Sequence, residues 1–419
     1  MAEQWILDLT KELRRPHDPL DQELYAKSIY RVPKILTDVN SQAYEPKLAS
    51  FGPYHHDCLH LRPMEQHKHR ALIQFLRRIA KSSKTPEDVL VAMRNVEPRL
   101  LASYDSLCME YEEQDCLERS RIRHRDWCKE KDEFLKLMIV DGCFALEVML
   151  AEKRSAAAEQ SEYDSHDSVF GVGRKNYVIP DLKRDMFLLE NQIPFLALTT
   201  LAAIDSFKGP TERSFHILDL YRKILTGEGE YLPSYEENVQ SATELRNAGV
   251  SFCKSKTKSF RDISFNGGIL SLPPLEIDDT TESLMLNLMA FERLHATAGN
   301  EVTAYAFFMD GLINTADDVA LLRTEEIIMG WVGCDGNIAN MFNRITKEAT
   351  LVVFRDDIQV DVNRRLNHYC KKRMHRWRAS FVETYLKNPW VFTSLLGGLF
   401  LLALTIVQTV YAMLQFYEA

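Results

Sequence analysis

The chain is 419 residues long, 46% hydrophobic and 26% charged, a globular balance that excludes a disordered polymer. Its formal charge of −9 excludes nucleic acid as the principal partner, because phosphate contacts require a basic surface. The length ahead of the C-terminal apolar run suffices for one large or two ordinary domains with a substantial core.

In chain order, residues 1–20 form an amphipathic segment in which Glu3, Asp8 and Glu12 break any apolar run, so no signal peptide is expected. The main domain is expected over 21–370 and is mainly α. Met64 to Ala80, Pro86 to about Leu117 and Asp126 to Leu150 carry apolar residues at three- and four-residue spacing. In the third, Leu137, Val140, Phe144 and Val148 line one face. Residues 151–176 turn polar and read as a surface loop. Pro180 and Asp181 open a helix that continues through Leu201, kinked at Pro194. The helix Thr211 to Leu225 precedes a second polar loop, 227–240. A small β element is expected over 250–272, from Val250 to Lys254, Arg261 to Phe265 and Ile269 to Leu272. Asn266-Gly267-Gly268 joins the last two as an antiparallel hairpin, and Pro273-Pro274 ends it. Helices resume at Thr280 to Ala298, Thr303 to Leu312 and Asp335 to Lys347. A long basic helix runs from about Ile358 to Leu386. Eight cysteines (Cys58, Cys108, Cys116, Cys128, Cys143, Cys253, Cys334, Cys370) form no C-x-x-C and are expected to be reduced and mostly buried.

The uncharged run VFTSLLGGLFLLALTIVQTVYAML within 389–416 is expected to be a single C-terminal transmembrane helix. Its polar members can bond carbonyls one turn back, and the alternative of a buried core helix would need protein on all sides. The stem at 371–388 carries Lys371, Lys372, Arg373, Arg376, Arg378 and Lys387, with no Lys or Arg after the span. The positive-inside rule therefore puts the main domain in the cytosol, with the stem on anionic lipid. Ser394 and Gly398 form a small-x-x-x-small pair that could join two copies.

No nucleotide-binding, nucleophile-elbow or zinc-protease motif is present, and no catalytic residue, metal or cofactor is assigned. The densest cluster is Tyr54-His55-His56-Asp57-Cys58 with His60. His55, His56, Cys58 and His60 are all zinc-ligand types, but adjacent histidines rarely converge on one ion, and a loop whose Gly52-Pro53 turn precedes a helix near Met64 is the favoured reading. Asp141 and Glu147 lie in the apolar run LMIVDGCFALEVML, six residues apart and so pointing in different directions on a helix. Capping, solvent or a bond to a neighbouring helix is favoured over acid/base work. Glu190, Asn191 and Gln192 sit between Phe187-Leu188-Leu189 and Ile193-Pro194-Phe195. Polar groups there are costly to bury unless fully bonded, which points to a structural polar knot at a helix kink.

Taken together these segments resemble the plant membrane proteins of the domain of unknown function 247 family, of UPF0481 type. The resemblance rests on Ser28-Ile29-Tyr30-Arg31-Val32-Pro33, Gly52-Pro53-Tyr54-His55-His56 and Met64-Glu65-Gln66-His67-Lys68. It continues through Asp141-Gly142-Cys143-Phe144, Leu188 to Phe195, Ser241-Ala242-Thr243-Glu244-Leu245 and Asn287-Leu288-Met289-Ala290-Phe291-Glu292. Leu312-Ile313-Asn314, Asp317-Asp318-Val319 and Asn388-Pro389-Trp390 complete it, in family order over nearly the whole chain. The resemblance supplies no catalytic residues. It implies a recognition role at most, since such proteins in grasses are implicated in pollen self-incompatibility. The expectation is a non-enzymatic interaction or signalling module with an unidentified protein partner. The alternative is a hydrolase-like enzyme built on His55, His56 and Glu190 to Gln192.

Overall fold

The computed structural model describes residues 27–38, 40–105, 107, 126–156, 163–171, 173–205, 214–227, 240–330, 333–347, 360–371 and 389–418. Helices dominate. Helix α1, Arg62–Ala80, starts with a proline in its first turn and buries Met64, Lys68, Ala71, Phe75 and Ile79 along one stripe. Helix α2, Pro86–Ala102, opens on a capping box in which the Thr85 side chain and the Asp88 backbone and carboxylate satisfy one another. The periodicity past Ala102 does not extend the helix. Ser103 O instead accepts the N–H groups of Ser28 and Ile29, and Asp105 N–H donates to Ile29 O, so the backbone leaves the helix for a β-bridge between Ile29 and Tyr104.

Helix α3, Lys131–Ala156, is buried along most of its length, with Phe134, Met138, Cys143, Phe144 and Val148 all inaccessible. Helix α4, Lys175–Met186, begins a turn before Pro180, which lies inside it. The helix expected to run on to Leu201 breaks instead. Residues 187–194 form an irregular loop, and α5, Phe195–Ile204, starts behind Pro194 at its N-cap. Helix α6, Ile217–Thr226, is capped by the His216 ring, which accepts the Asp219 N–H. Helix α7, Ala242–Ala248, carries a Ser241/Glu244 capping box and ends on Gly249 at φ 97°.

Strands β1 (Ser251–Lys254), β2 (Ser264–Asn266) and β3 (Ile269–Leu272) form one sheet in the order β1-β3-β2. The expected hairpin is present: β2 and β3 are antiparallel, and Gly267 and Gly268 take positive φ between them. Strand β1 adds in parallel. A second, unforeseen sheet pairs β4 (Leu275–Ile277) in parallel with β5 (Ile328–Gly330). Gly330 is required there, since at φ 132° an added Cβ would lie 2.0 Å from Ile277 O. Besides short helical turns at Lys34–Thr37, Ser41–Ala43 and Leu59–Leu61, the other helices among the described residues are α8 (Thr281–Leu294), α9 (Glu301–Leu312), α10 (Ala316–Thr324), α11 (Asp335–Thr346), α12 (Val360–Lys371) and α13 (Pro389–Glu418).

Two compact units emerge. The first comprises Met1–Glu228 and Thr280–Val302, the second Gly229–Asp279 and Thr303–Ala419. In the first, α3 packs against α1 and α5, and α2 against α5. The second joins α10 to α7 and α11. There Asp318 accepts the backbone N–H groups of Thr243, Asn314 and Thr315 at 2.8, 3.2 and 2.9 Å.

Two expectations are corrected. Among the described residues no helix is long and apolar enough to cross a membrane, so the C-terminal transmembrane helix and the single-pass anchor are withdrawn. Helix α13 itself forms over Pro389–Glu418. The cysteines are not all reduced either. Cys128 is disulfide-bonded, while Cys58, Cys143, Cys253, Cys334 and Cys370 are free.

Candidate functional site

The loop between α4 and α5 exists because its side chains replace helical hydrogen bonds. Gln192 Nε2 donates to Met186 O at 2.6 Å and Leu188 O at 2.8 Å, and its Oε1 accepts the Leu218 N–H at 3.3 Å. Asn191 Nδ2 donates to Ala49 O and Asp185 O, both at 2.9 Å, and Oδ1 accepts the Phe51 N–H at 2.7 Å. Glu190 Oε1 accepts the Val32 N–H at 2.6 Å. All three side chains are buried. Each loss of such a partner would leave a desolvated backbone group, at about 1–3 kcal/mol apiece.

Glu190 also faces His55, whose Nε2 lies 3.4 Å from Oε2, an ion-pair distance without hydrogen-bond alignment. Burial alone would lower the His55 ring, but the neighbouring Glu190 carboxylate and Cys58 thiol outweigh it and push the ring up to about 9. Burial would raise Glu190, yet His55, Arg31 and the Val32 N–H hold it below the usual carboxylate range.

Two of the four side chains weighed as zinc ligands have other neighbours. His56 packs edge-on against Trp127, and the His60 ring meets Pro46 O at 3.0 Å. Among the described residues no group of three or more His, Cys, Asp or Glu side chains is placed to hold a metal.

Asp141 and Glu147 both reach α1. Asp141 Oδ1 accepts from Lys68 Nζ at 2.8 Å and Oδ2 accepts the Gly52 N–H at 2.9 Å. Glu147 pairs with Arg78 at 2.5 Å and accepts from the Tyr163 hydroxyl at 2.8 Å. Lys68 is wholly buried and also donates to Ser50 Oγ at 3.0 Å, with Glu65 Oε1 at 2.6 Å.

The sequence reading missed several members of this network. Asp185 accepts the N–H groups of Lys47, Leu48 and Ala49, and Asn287 Oδ1 accepts the Leu189 N–H at 2.8 Å. His216 meets Ser28 O at 3.0 Å through Nε2. Lys68 and Asn287 were within reach, because both stand inside the motifs quoted above. Nothing in the local pattern marks Asp185 or His216.

Of the basic stem, Lys371 is exposed at the end of α12, while Lys372, Arg373, Arg376, Arg378 and Lys387 lie outside the described residues. Ser394 is exposed, and a Cβ at Gly398 would meet nothing within 4 Å.

The fold and this network define a mainly helical protein whose most distinctive polar residues bind its own backbone. The family described as "Plant protein of unknown function", domain of unknown function 247, matches residues 29–404, and the chain belongs to it. It is 30% identical over 444 residues to UPF0481 protein At3g47200 of Arabidopsis thaliana, covering 93% of this chain and 86% of that one. A second UPF0481 protein of Arabidopsis thaliana, At3g02645, is 30% identical over 181 residues, 42% of this chain and 34% of that protein. No solved structure matches the chain. None of these names carries an activity, a membrane or a role in self-incompatibility.

Proposed function

We propose that this plant protein is a non-enzymatic interaction module. One observation supports that reading: the polar residues of the motifs bind one another's backbone inside a closed core. Glu190 holds Val32, Asn191 holds Phe51, Asp141 holds Gly52 and Lys68, and Asn287 holds Leu189. A hydrolase would need such groups free and converging on a reachable point. Here they are consumed in fixing the segments around 28–33 and 47–56 against α3 and the loop 187–194. The functional surface is then the exterior that this brace holds in place, and the partner is another protein.

The test is a comparison of the purified full chain with its Glu190→Gln variant on generic ester, phosphoester and glycoside substrates, beside their melting curves. A variant that melts earlier with no turnover in either protein agrees with the proposal. Turnover in the wild type that vanishes in a variant of unchanged melting temperature defeats it.

A further inference from the structure

We infer that α13 is a self-association helix, which packs against α13 of a second copy of this chain along one coiled-coil seam. Every described side chain from Leu396 to Val410 is exposed, and the nine large apolar ones among them are 47–66% open to solvent. Together they offer on the order of 900 Å², above the roughly 300–600 Å² of the largest apolar patch that a monomer keeps. One partner of a standard interface buries about 800 Å², so a seam that takes most of this surface meets what a stable dimer needs.

The spacing picks the face. Leu396, Leu399, Ala403, Ile406 and Val410 follow one another at alternating steps of three and four residues, the a and d positions of a heptad. In this register Ser394, Thr405 and Gln408 fall at f, c and f, on the far side of the helix. The Thr405 hydroxyl donates to Leu401 O at 2.8 Å, so that polar group is already satisfied within α13. The side that carries Ser394 and Gly398 is thus the outer side, and their small-residue pair is not the contact.

Charge decides the occupant. Partner choice between coiled-coil helices is set by charged residues at e and g, which flank the seam. Before Glu418, α13 carries no charged residue at all. Nothing on it therefore selects a helix of different sequence, and two identical seams meet without like-charge repulsion. This self-association is independent of the partner protein proposed above.

The purified full chain would be compared with Ile406→Glu, in the seam, and Gln408→Glu, on the outer side, by sedimentation velocity over a wide range of concentration. The wild type and Gln408→Glu are expected to form the same discrete oligomer. Ile406→Glu is expected to weaken it at least about a hundredfold, because each copy would bury an unpaired carboxylate in the seam. Coincident melting curves report that the rest of the chain is unchanged. Should Ile406→Glu melt earlier, Val410→Glu repeats the test at the next seam position. A wild type that is monomeric or polydisperse, including one that floats as a monomer with phosphatidylcholine vesicles, overturns the proposal. So does an oligomer that survives the seam variants, or one that Gln408→Glu disperses as fully as they do.

Discussion

Lys68 on α1 and Asp141 on α3 form an ion pair at 2.8 Å with neither side chain exposed to solvent. Burial pushes the Asp141 carboxyl up, against the pull of the Lys68 ammonium. Such a pair costs desolvation energy that only good geometry offsets. Lys68→Met should therefore destabilise by about 3–5 kcal/mol, because it strands a buried carboxylate. Adding Asp141→Leu should recover part of that loss but not all, since the Gly52 N–H then loses its acceptor. Urea denaturation of the two single variants and the double variant gives the coupling. Simple additivity of the two losses would mean the pair is not coupled.

Asn191→Ala should be among the most damaging single changes. It orphans the Phe51 N–H and the Ala49 carbonyl in one step and takes one donor from the Asp185 carbonyl, which keeps the Leu188 N–H. With each orphan at about 1–3 kcal/mol, a loss of at least roughly 2 kcal/mol is expected. Asn191→Asp keeps the acceptor for Phe51 and loses both donors, so it should also destabilise. Thermal unfolding checks both, and a melting temperature unchanged in either would contradict the brace.

Stability should fall on both sides of a maximum near neutrality. His55 is held at about 9 in the folded chain, above its ordinary value. Its contribution is complete below pH about 6.5 and is lost as pH rises toward 9, on the order of 3 kcal/mol in all. His216 behaves oppositely. Burial lowers its ring to about 4 against the pull of Asp219 and Ser28 O, so the unfolded chain takes up a proton first. Its contribution is complete above pH about 6.5 and is lost as pH falls toward 4, by a similar amount. Glu190, held below the usual carboxylate range, adds a further loss at lower pH. Denaturation across pH should show the alkaline arm flattened in His55→Gln and the acid arm flattened in His216→Asn.

Gly52→Ala should destabilise by more than about 1 kcal/mol. The residue sits at φ 76°, and a Cβ there would lie 2.6 Å from Gln192 O and 2.8 Å from the Tyr104 hydroxyl. Tyr104→Phe removes one obstacle but leaves the carbonyl, so it should not rescue the alanine variant. A double variant as stable as Tyr104→Phe alone would show that the carbonyl can move.

Much of the secondary structure was legible because its signals are local. Helix α1, the hairpin at Gly267-Gly268 and the helices near Thr281 and Asp335 follow from periodicity and turn chemistry within a few residues. The capping boxes at Ser241/Glu244 and Thr315/Asp318 were equally local and would have located α7 and α10. The end of α2 was not legible. It is set by Ile29, more than seventy residues away, which takes the backbone into a bridge.

The same division holds for the candidate site. Sequence alone marked Glu190, Asn191 and Gln192 as polar groups that burial would penalise unless bonded, and marked Asp141 as out of place in an apolar helix. It could not supply their partners. Val32, Phe51, Gly52, Lys68 and the carbonyl of Ala49 come from segments distant in the chain, and only packing brings them within about 3 Å. Composition and periodicity determined a mainly helical, acidic, globular chain, because propensity and patterning act over neighbouring residues. The tertiary structure alone decided which buried charge meets which backbone group, because that choice depends on contacts between elements far apart in the chain.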